Sequence, residues 1–287
     1  MPGLYGQYKA KNGDMTLRSK SIMAETKALS AAQQNGTAIE IPNLGDLVGF
    51  SVQLSVTAAG TLSSAQTINR AIAEIRILTR SGKNISQSIN GTDLNLLQYL
   101  SSRYGKSESW ASAVQNTAET NQFVLQWSVD SKDLPAKIQV VYAPYSVLAT
   151  SGCTGASVTF TVTGMYRDGS TDVTEGVTKT TVSLAIGTNS IASYLPRGKR
   201  ITAIALGLTE AYLTEAVFSA AGGEEHDLLT ADLQQYLDTA RGAAHISGYL
   251  LLPVTPFVAS DRTVLKLING TADTLSLYVF YTEAPPA

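Results

Sequence analysis

Cysteine is almost missing from this chain: Cys153 is the single thiol in 287 residues, so no intrachain disulfide can form and a zinc site of several thiolates is excluded. Freedom from disulfides fits folding in a reducing compartment but leaves the compartment open. Histidine is nearly as scarce, with His226 and His245 alone, which leaves a thin supply of general bases. Charged residues make up 15% of the chain, against about 25% in ordinary soluble domains. With a formal net charge of −2 there is no basic field for sequence-independent binding of nucleic acid, and no direct sequence-specific binding is expected. No run of about 18 apolar residues occurs, and the opening "MPGLYGQYKAKNGDMTLRSKS" lacks an apolar core, so neither a spanning helix nor a signal peptide is expected. Also missing are a Gly-x-Ser-x-Gly elbow, a His-Glu-x-x-His helix, a Walker loop and a dinucleotide glycine fingerprint. Trp110 and Trp127 are too few for an aromatic sugar platform, which leaves paired carboxylates such as Glu74 and Asp93 as the remaining hydrolytic alternative.

What is present reads as strands. Short stretches rich in Val, Ile, Thr, Tyr and Phe alternate or run apolar at 38–41 (AIEI), 47–56 (LVGFSVQLSV), 74–79 (EIRILT), 123–129 (FVLQWSV), 137–143 (KIQVVYA) and 157–166 (SVTFTVTGMY). The pattern continues at 179–186 (KTTVSLAI), 200–208 (RITAIALGL), 215–220 (EAVFSA), 248–254 (GYLLLPV), 263–268 (TVLKLI) and 275–281 (LSLYVFY). Clusters of Gly, Pro, Asn and Asp separate them, which predicts an all-β sandwich or barrel with a few short helices.

Two phrases carry helical spacing instead. In "LLQYLSSRYG" (96–105) and "LQQYLDTARG" (233–242), Leu96, Tyr99 and Leu100 match Leu233, Tyr236 and Leu237 at i, i+3, i+4, with Asp93 and Thr230 as expected N-caps and Gly105 and Gly242 as stops. Other anchors fall in the same order in both halves. Residues 36–54 face 187–206, 74–82 face 215–223, 123–129 face 249–255, and 137–144 face 275–285. Five ordered segments predict a degenerate tandem duplication of one β domain, with length differences where loops tolerate them. The division expected is an arm over 1–30, a first barrel over 31–150 and a second over 151–287.

A β-sandwich unit of about eight strands with a helix in a late connection, repeated once in under 300 residues, resembles the double jelly-roll major capsid proteins. These come from tailless, membrane-containing icosahedral viruses of the tectivirus and corticovirus kind. The resemblance implies two tandem jelly-roll barrels and a structural, non-enzymatic role without cofactor. It implies a homotrimer forming a pseudo-hexagonal capsomer, made in the host cytoplasm and housed in the virion, with neighbouring capsomers, penton and minor capsid proteins as partners. Six similar barrels in a cyclic trimer suit such a lattice. In the opening segment Lys9, Lys11, Arg18 and Lys20 face only Asp14, interleaved with Leu4, Tyr5, Tyr8 and Leu17. This reads as an arm toward a neighbouring capsomer or an acidic internal membrane, or else as a plain polar terminus.

The remaining motifs have bland alternatives. "TGMYRDGSTDVTEGV" (163–177) resembles the signature of bacterial immunoglobulin-like repeats, but Asp-Gly between β-runs also makes a tight hairpin, and a hairpin opening the second barrel is the expectation. Asp168, Asp172 and Glu175 are weak candidates for structural calcium and lack the spacing of a known loop. "GGEEHD" (222–227) reads as a solvated acidic turn, not a metal site. Asn35, Asn90 and Asn269, each followed by Gly-Thr, fit the glycosylation pattern and equally a favoured turn dipeptide. A carbohydrate- or receptor-binding β-sandwich of a phage spike or bacterial surface is the alternative function.

Overall fold

In the computed structural model, residues 17–62, 68–78, 89–94, 96, 118–125, 136–167, 175–207, 213–229 and 249–283 are described. The first half contains β1 (Leu17–Leu29), β2 (Gln34–Asn35), β3 (Ile39–Glu40), β4 (Asp46–Leu62), β5 (Ile72–Leu78), β6 (Ala118–Leu125), β7 (Lys137–Tyr142) and β8 (Ala149–Arg167). One antiparallel sheet runs β1-β8-β4-β6. In the other, β2 and β3 lie end to end along one edge of β7, β5 takes the opposite edge, and Ile75 bridges to Ile89 beyond it. Counting β2 and β3 as one interrupted strand and the Ile89 bridge as the next, the two sheets read 1-8-3-6 and 2-7-4-5, which is the jelly roll.

The second half repeats this connectivity with β9 (Glu175–Leu184), β10 (Gly187–Ser190), β11 (Lys199–Gly207), β12 (Leu213–Ser219), β13 (His226–Asp227), β14 (Leu250–Leu252), β15 (Phe257–Val258), β16 (Val264–Asn269) and β17 (Asp273–Glu283). Its sheets run β9-β17-β11-β14 and β10-β16-β12-β13, with β15 continuing along β11.

The duplication reaches down to backbone irregularities. A bulge between Leu47 and Gly49 in the β4–β8 ladder has its counterpart between Ile201 and Ala203 in the β11–β17 ladder. Another lies between Ile72 and Glu74 opposite β7, and its counterpart between Leu213 and Glu215 opposite β16. An extra residue at the same rung re-aims the same strand in each copy. The second pair of bulges equates Glu74 with Glu215, as the alignment of 74–82 with 215–223 has it.

Four expectations are corrected by the pairing. Residues 17–29, placed in an arm, form β1, the edge strand of the first barrel, with Met23 and Leu29 in its core. Residues 151–167, placed in the second barrel, belong to β8, which pairs with β1 and β4 and sends Val158, Phe160, Val162 and Tyr166 into the first core. The break between the barrels therefore falls after Arg167, not at 150, and β8 and β9 lie in different sheets, so 163–177 is not a hairpin. With β8 restored to the first copy, β7 corresponds to β16 and not to 275–285, which is the counterpart of β8.

Each barrel encloses its own core. Phe50, Ile75, Val140 and Phe160 are among the buried residues of the first, and Ile204, Leu252, Leu265 and Leu277 among those of the second. A third, much smaller cluster of Leu96, Ala205 and Tyr278 joins the two. Since each fully buried large apolar side chain contributes about 1.5–3 kcal/mol, cohesion lies mainly within the barrels. Polar contacts therefore weigh heavily between them.

Candidate functional site

The contact between the barrels is built from the segment that follows the Ile89 bridge. Asn90 Oδ1 accepts the Asp93 N–H at 3.1 Å while Asp93 Oδ2 accepts the Asn90 N–H at 2.9 Å, a reciprocal capping box. The cap is thus Asn90, and Asp93, expected in that role, sits three residues further on at the start of the helical turn. Gly91 is dictated by close approach: its N–H donates to the Ile72 carbonyl at 2.9 Å, and a Cβ there would stand 1.7 Å from the Asn69 carbonyl oxygen.

This turn aims Asp93 at the second barrel. Its carboxylate, 1% exposed, accepts Lys179 Nζ at 2.6 Å on Oδ2, and on Oδ1 the Tyr278 hydroxyl at 2.5 Å and the Tyr249 hydroxyl at 3.3 Å. Counting the Asn90 N–H, four donors meet the roughly four lone-pair sites of one carboxylate, so the buried charge is fully engaged. Lys179 is on β9, Tyr278 on β17 and Tyr249 just before β14, so every side-chain donor comes from the other barrel. The Lys179 ammonium lies 5.3 Å from the centre of the Tyr278 ring, and the rings of Tyr249 and Tyr278 meet edge to face at 5.7 Å. Burial first, then the Asp93 charge, raises the pKa of both tyrosines, which stay protonated as donors. Around this polar centre Leu96 packs with Ala205 and Tyr278, against Leu251 and Phe280.

A second polar tie lies inside the first barrel. Glu25 on β1 accepts the Thr37 N–H and hydroxyl, each at 3.0 Å, and the Tyr142 hydroxyl at 2.9 Å, joining the two sheets. Burial first and then the hydrogen bond to Glu25 raise the Tyr142 pKa.

Of the residues singled out by sequence, Leu96 is buried where the barrels meet, and Arg18 and Lys20 are exposed on β1. Lys9, Lys11, Tyr99, Leu100, Leu233, Tyr236, Leu237, Asp168 and Asp172 lie outside the described residues, as does the side chain of Glu175. Glu74 does not pair with Asp93: it holds Arg76 at 2.7 Å. In the acidic turn, Glu225 binds Lys266 at 2.8 Å and Asp227 accepts the Leu229 N–H at 2.9 Å. Among the described residues no group of three or more His, Cys, Asp or Glu is placed to hold a metal ion, and no helix is long and apolar enough to cross a membrane. Lys179, Tyr249 and Tyr278 had no sequence signal of their own, because each acquires its role from Asp93, at least 86 residues away.

Neither a scan against protein-family models nor a search of curated proteins gives a match. Solved structures do match along nearly the whole chain. The STIV major capsid protein, from Sulfolobus Turreted Icosahedral Virus, aligns with a TM-score of 0.63 at 16% identity, covering 94% of this chain and 98% of that one. The major capsid protein of bacteriophage PM2 follows at 0.58 and 14%, covering 93% and 97%. The PBCV-1 virus capsid chain gives 0.56 and 10%, covering 98% and 96%. The fold is the double jelly roll, and the family resemblance drawn from the strand pattern holds at the level of fold.

Proposed function

We propose that the chain is the major capsid protein of an icosahedral virus, a structural subunit that trimerises into pseudo-hexagonal capsomers and works by assembly, not catalysis. The observation that carries this reading is the end-to-end likeness of both barrels, with little left over on either side, to capsid proteins of otherwise dissimilar sequence. Physical features support it. A head-to-tail contact already joins first barrel to second within the chain, and repeating it between chains closes a ring. The virion is then the protein's location after synthesis in host cytoplasm, with neighbouring capsomers, penton and minor capsid proteins as its partners.

In this reading Lys9, Lys11, Arg18 and Lys20 reach a neighbouring capsomer or an internal membrane of acidic lipid. Pairing of Leu17 with Arg167 and of Asp46 with the same residue sets the start of β1, which carries Arg18 and Lys20, beside the β3–β4 turn, and a cluster of basic residues is attracted to an acidic surface.

Light scattering over a range of protein concentrations tests the proposal. At 30.4 kDa per chain, a stable species near three times that mass, about 91 kDa, that grows into larger sheets or shells is expected. A species that stays at the single-chain mass at every concentration overturns it.

A further inference from the structure

We propose that Asp93 and Lys179 are the two ends of a covalent clasp, an isopeptide bond between their side chains that the chain forms on itself and that ties the first barrel to the second. The site is laid out along one rung of the second barrel. Lys179 on β9 pairs with Tyr278 on β17, Tyr278 with Ala205 on β11, and Ala205 with Leu251 on β14, so the four side chains share one face, where the small Ala205 leaves room for Leu96. Asp93 is set down on this face by its own turn, with Oδ2 held by the Asn90 N–H at 2.9 Å. Nζ of Lys179 lies 2.6 Å from Oδ2 and Cγ is one bond beyond, which brings nitrogen and carbon near the roughly 3–3.5 Å of a near-attack pair. Both tyrosine hydroxyls instead donate to the other oxygen, Oδ1, Tyr278 at 2.5 Å and Tyr249 at 3.3 Å.

This arrangement suits condensation, with donors on the oxygen that takes up negative charge and the amine beside the oxygen that departs. One proton passes from the ammonium to Oδ2, giving a neutral amine and a neutral acid. The nitrogen lone pair then forms a bond to Cγ while the carbonyl π pair moves onto Oδ1, where the two hydroxyls stabilise it. A second proton passes from nitrogen to Oδ2, the Cγ–Oδ2 bond breaks, water leaves and Oδ1 regains its double bond. Of the three ammonium protons two depart in the water and one stays on the amide nitrogen, so no oxidant or further reagent enters. Burial sets the direction. In water the separate ions are favoured by their hydration, but the Asp93 side chain is 1% exposed and that of Lys179 15%, and a desolvated charge costs stability that a neutral amide does not. Lys266 and Glu225 provide the contrast: 2.8 Å apart, with side chains 35% and 42% exposed, they keep their hydration and remain an ion pair. At Asp93 the ion pair is the state of the freshly folded chain and the amide that of the aged one.

Mass spectrometry of the full chain, purified and incubated until its mass is steady, tests the bond. Wild type is expected to end one water, about 18 Da, below the mass of its sequence. After tryptic digestion the peptide holding Asp93 stays joined to the one holding Lys179, uncut after Lys179 but cut after Lys266. Lys179→Met keeps its water whether or not it folds. Tyr278→Phe, checked for folding by circular dichroism, is expected to link on the order of 100-fold more slowly, as one of the two donors to the developing oxyanion is gone. A wild type that keeps its full mass and is cut after Lys179 overturns the proposal. So does a lost water without the joined peptides, as from a succinimide at Asp168-Gly169. A folded Tyr278→Phe chain that links as fast as wild type overturns the part given to that hydroxyl. The bond lies within one chain, so none of these results bears on the capsid reading.

Discussion

Replacing Asp93 by alanine strikes the contact between barrels at its centre. The substitution leaves the Lys179 ammonium, 15% exposed at its side chain, without its counter-ion and removes the acceptor of the Tyr278 hydroxyl. Breaking a buried ion pair by deleting one partner costs about 3–5 kcal/mol, and loss of the reciprocal bond to Asn90 adds about 1 kcal/mol. Each barrel has a separate core, so the larger part of the loss falls on the contact between them and only the lost cap falls on the first barrel. Urea denaturation followed by circular dichroism, at one fixed protein concentration so that self-association does not vary, is expected to show a transition weakened by about 4–6 kcal/mol that splits into two steps. Asp93→Asn keeps an acceptor for Tyr278 but turns a neutral amide toward Lys179, so its loss is smaller. Adding Lys179→Met to Asp93→Asn removes both charges and recovers most of the stability, since a buried pair replaced by neutral groups of similar volume is often no less stable. An Asp93→Ala chain within about 1 kcal/mol of wild type and unfolding in a single step would refute the role assigned to this carboxylate.

Two other perturbations follow from buried tyrosines. Burial pushes the Tyr166 pKa up to about 12 and raises those of Tyr142, Tyr249 and Tyr278, so folding holds protons that the unfolded chain gives up near pH 10. Stability is then whole below about pH 10 and is lost as pH climbs through the folded values, with a slope of about 1.4 kcal/mol per pH unit for each tyrosine and roughly 5.5 for the four together. Urea midpoints measured from about pH 8 to 11 should be level at first and then fall steeply, and a flat profile across the upper end contradicts this. Tyr166 also buries its hydroxyl with no partner among the described residues. Tyr166→Phe is expected to leave stability unchanged or raise it by about 1 kcal/mol, and a loss of that size in thermal denaturation would show that the hydroxyl is bonded.

The strand pattern is legible because most strands have one face on a core: the stretches at 38–41, 47–56 and 263–268 all alternate or run apolar, and β3, β4 and β16 fall on them. β1 escaped notice for a physical reason. Its inward positions include Glu25 and Lys27, tolerated because β1 is an edge strand where long polar side chains reach solvent or, for Glu25, the Tyr142 hydroxyl. Without β1 the sequence offers β8 only its Asp-Gly neighbour as a guide to pairing, and the shift of the barrel boundary and the mismatch of β7 with 275–285 share that cause. Turn chemistry is local, whereas pairing is decided by contacts such as Met23 opposite Val162, 139 positions apart by number. The repeated phrase led to the right part of the chain, through Leu96 and Asp93. Its partners were invisible because nothing near Lys179, Tyr249 or Tyr278 in the sequence marks them.

The two copies differ at the rung of Tyr278, where their surroundings among the described residues also differ. The covered outer face of the second barrel carries Tyr278, Phe280 and a lysine held by a buried carboxylate, all placed once and for good as the chain folds. Such large apolar groups would be an aggregation hazard on a subunit awaiting assembly, and a buried ion pair left half-made would cost several kcal/mol. At the rung equivalent to Tyr278 the first barrel carries Ser51 and Thr163, which water tolerates and which a neighbour can cover without stripping an ion, while Met165 opposite Gly49 stands at the rung of Phe280. One ancestral face has thus been specialised for a permanent contact within the chain and, in the capsid reading, the other for a contact that must wait for a second chain. On that logic Ala205→Glu destabilises the chain itself, whereas Thr161→Arg spares the fold and breaks only the assembly. A Thr161→Arg chain as unstable as Ala205→Glu would refute the division of labour between the two faces.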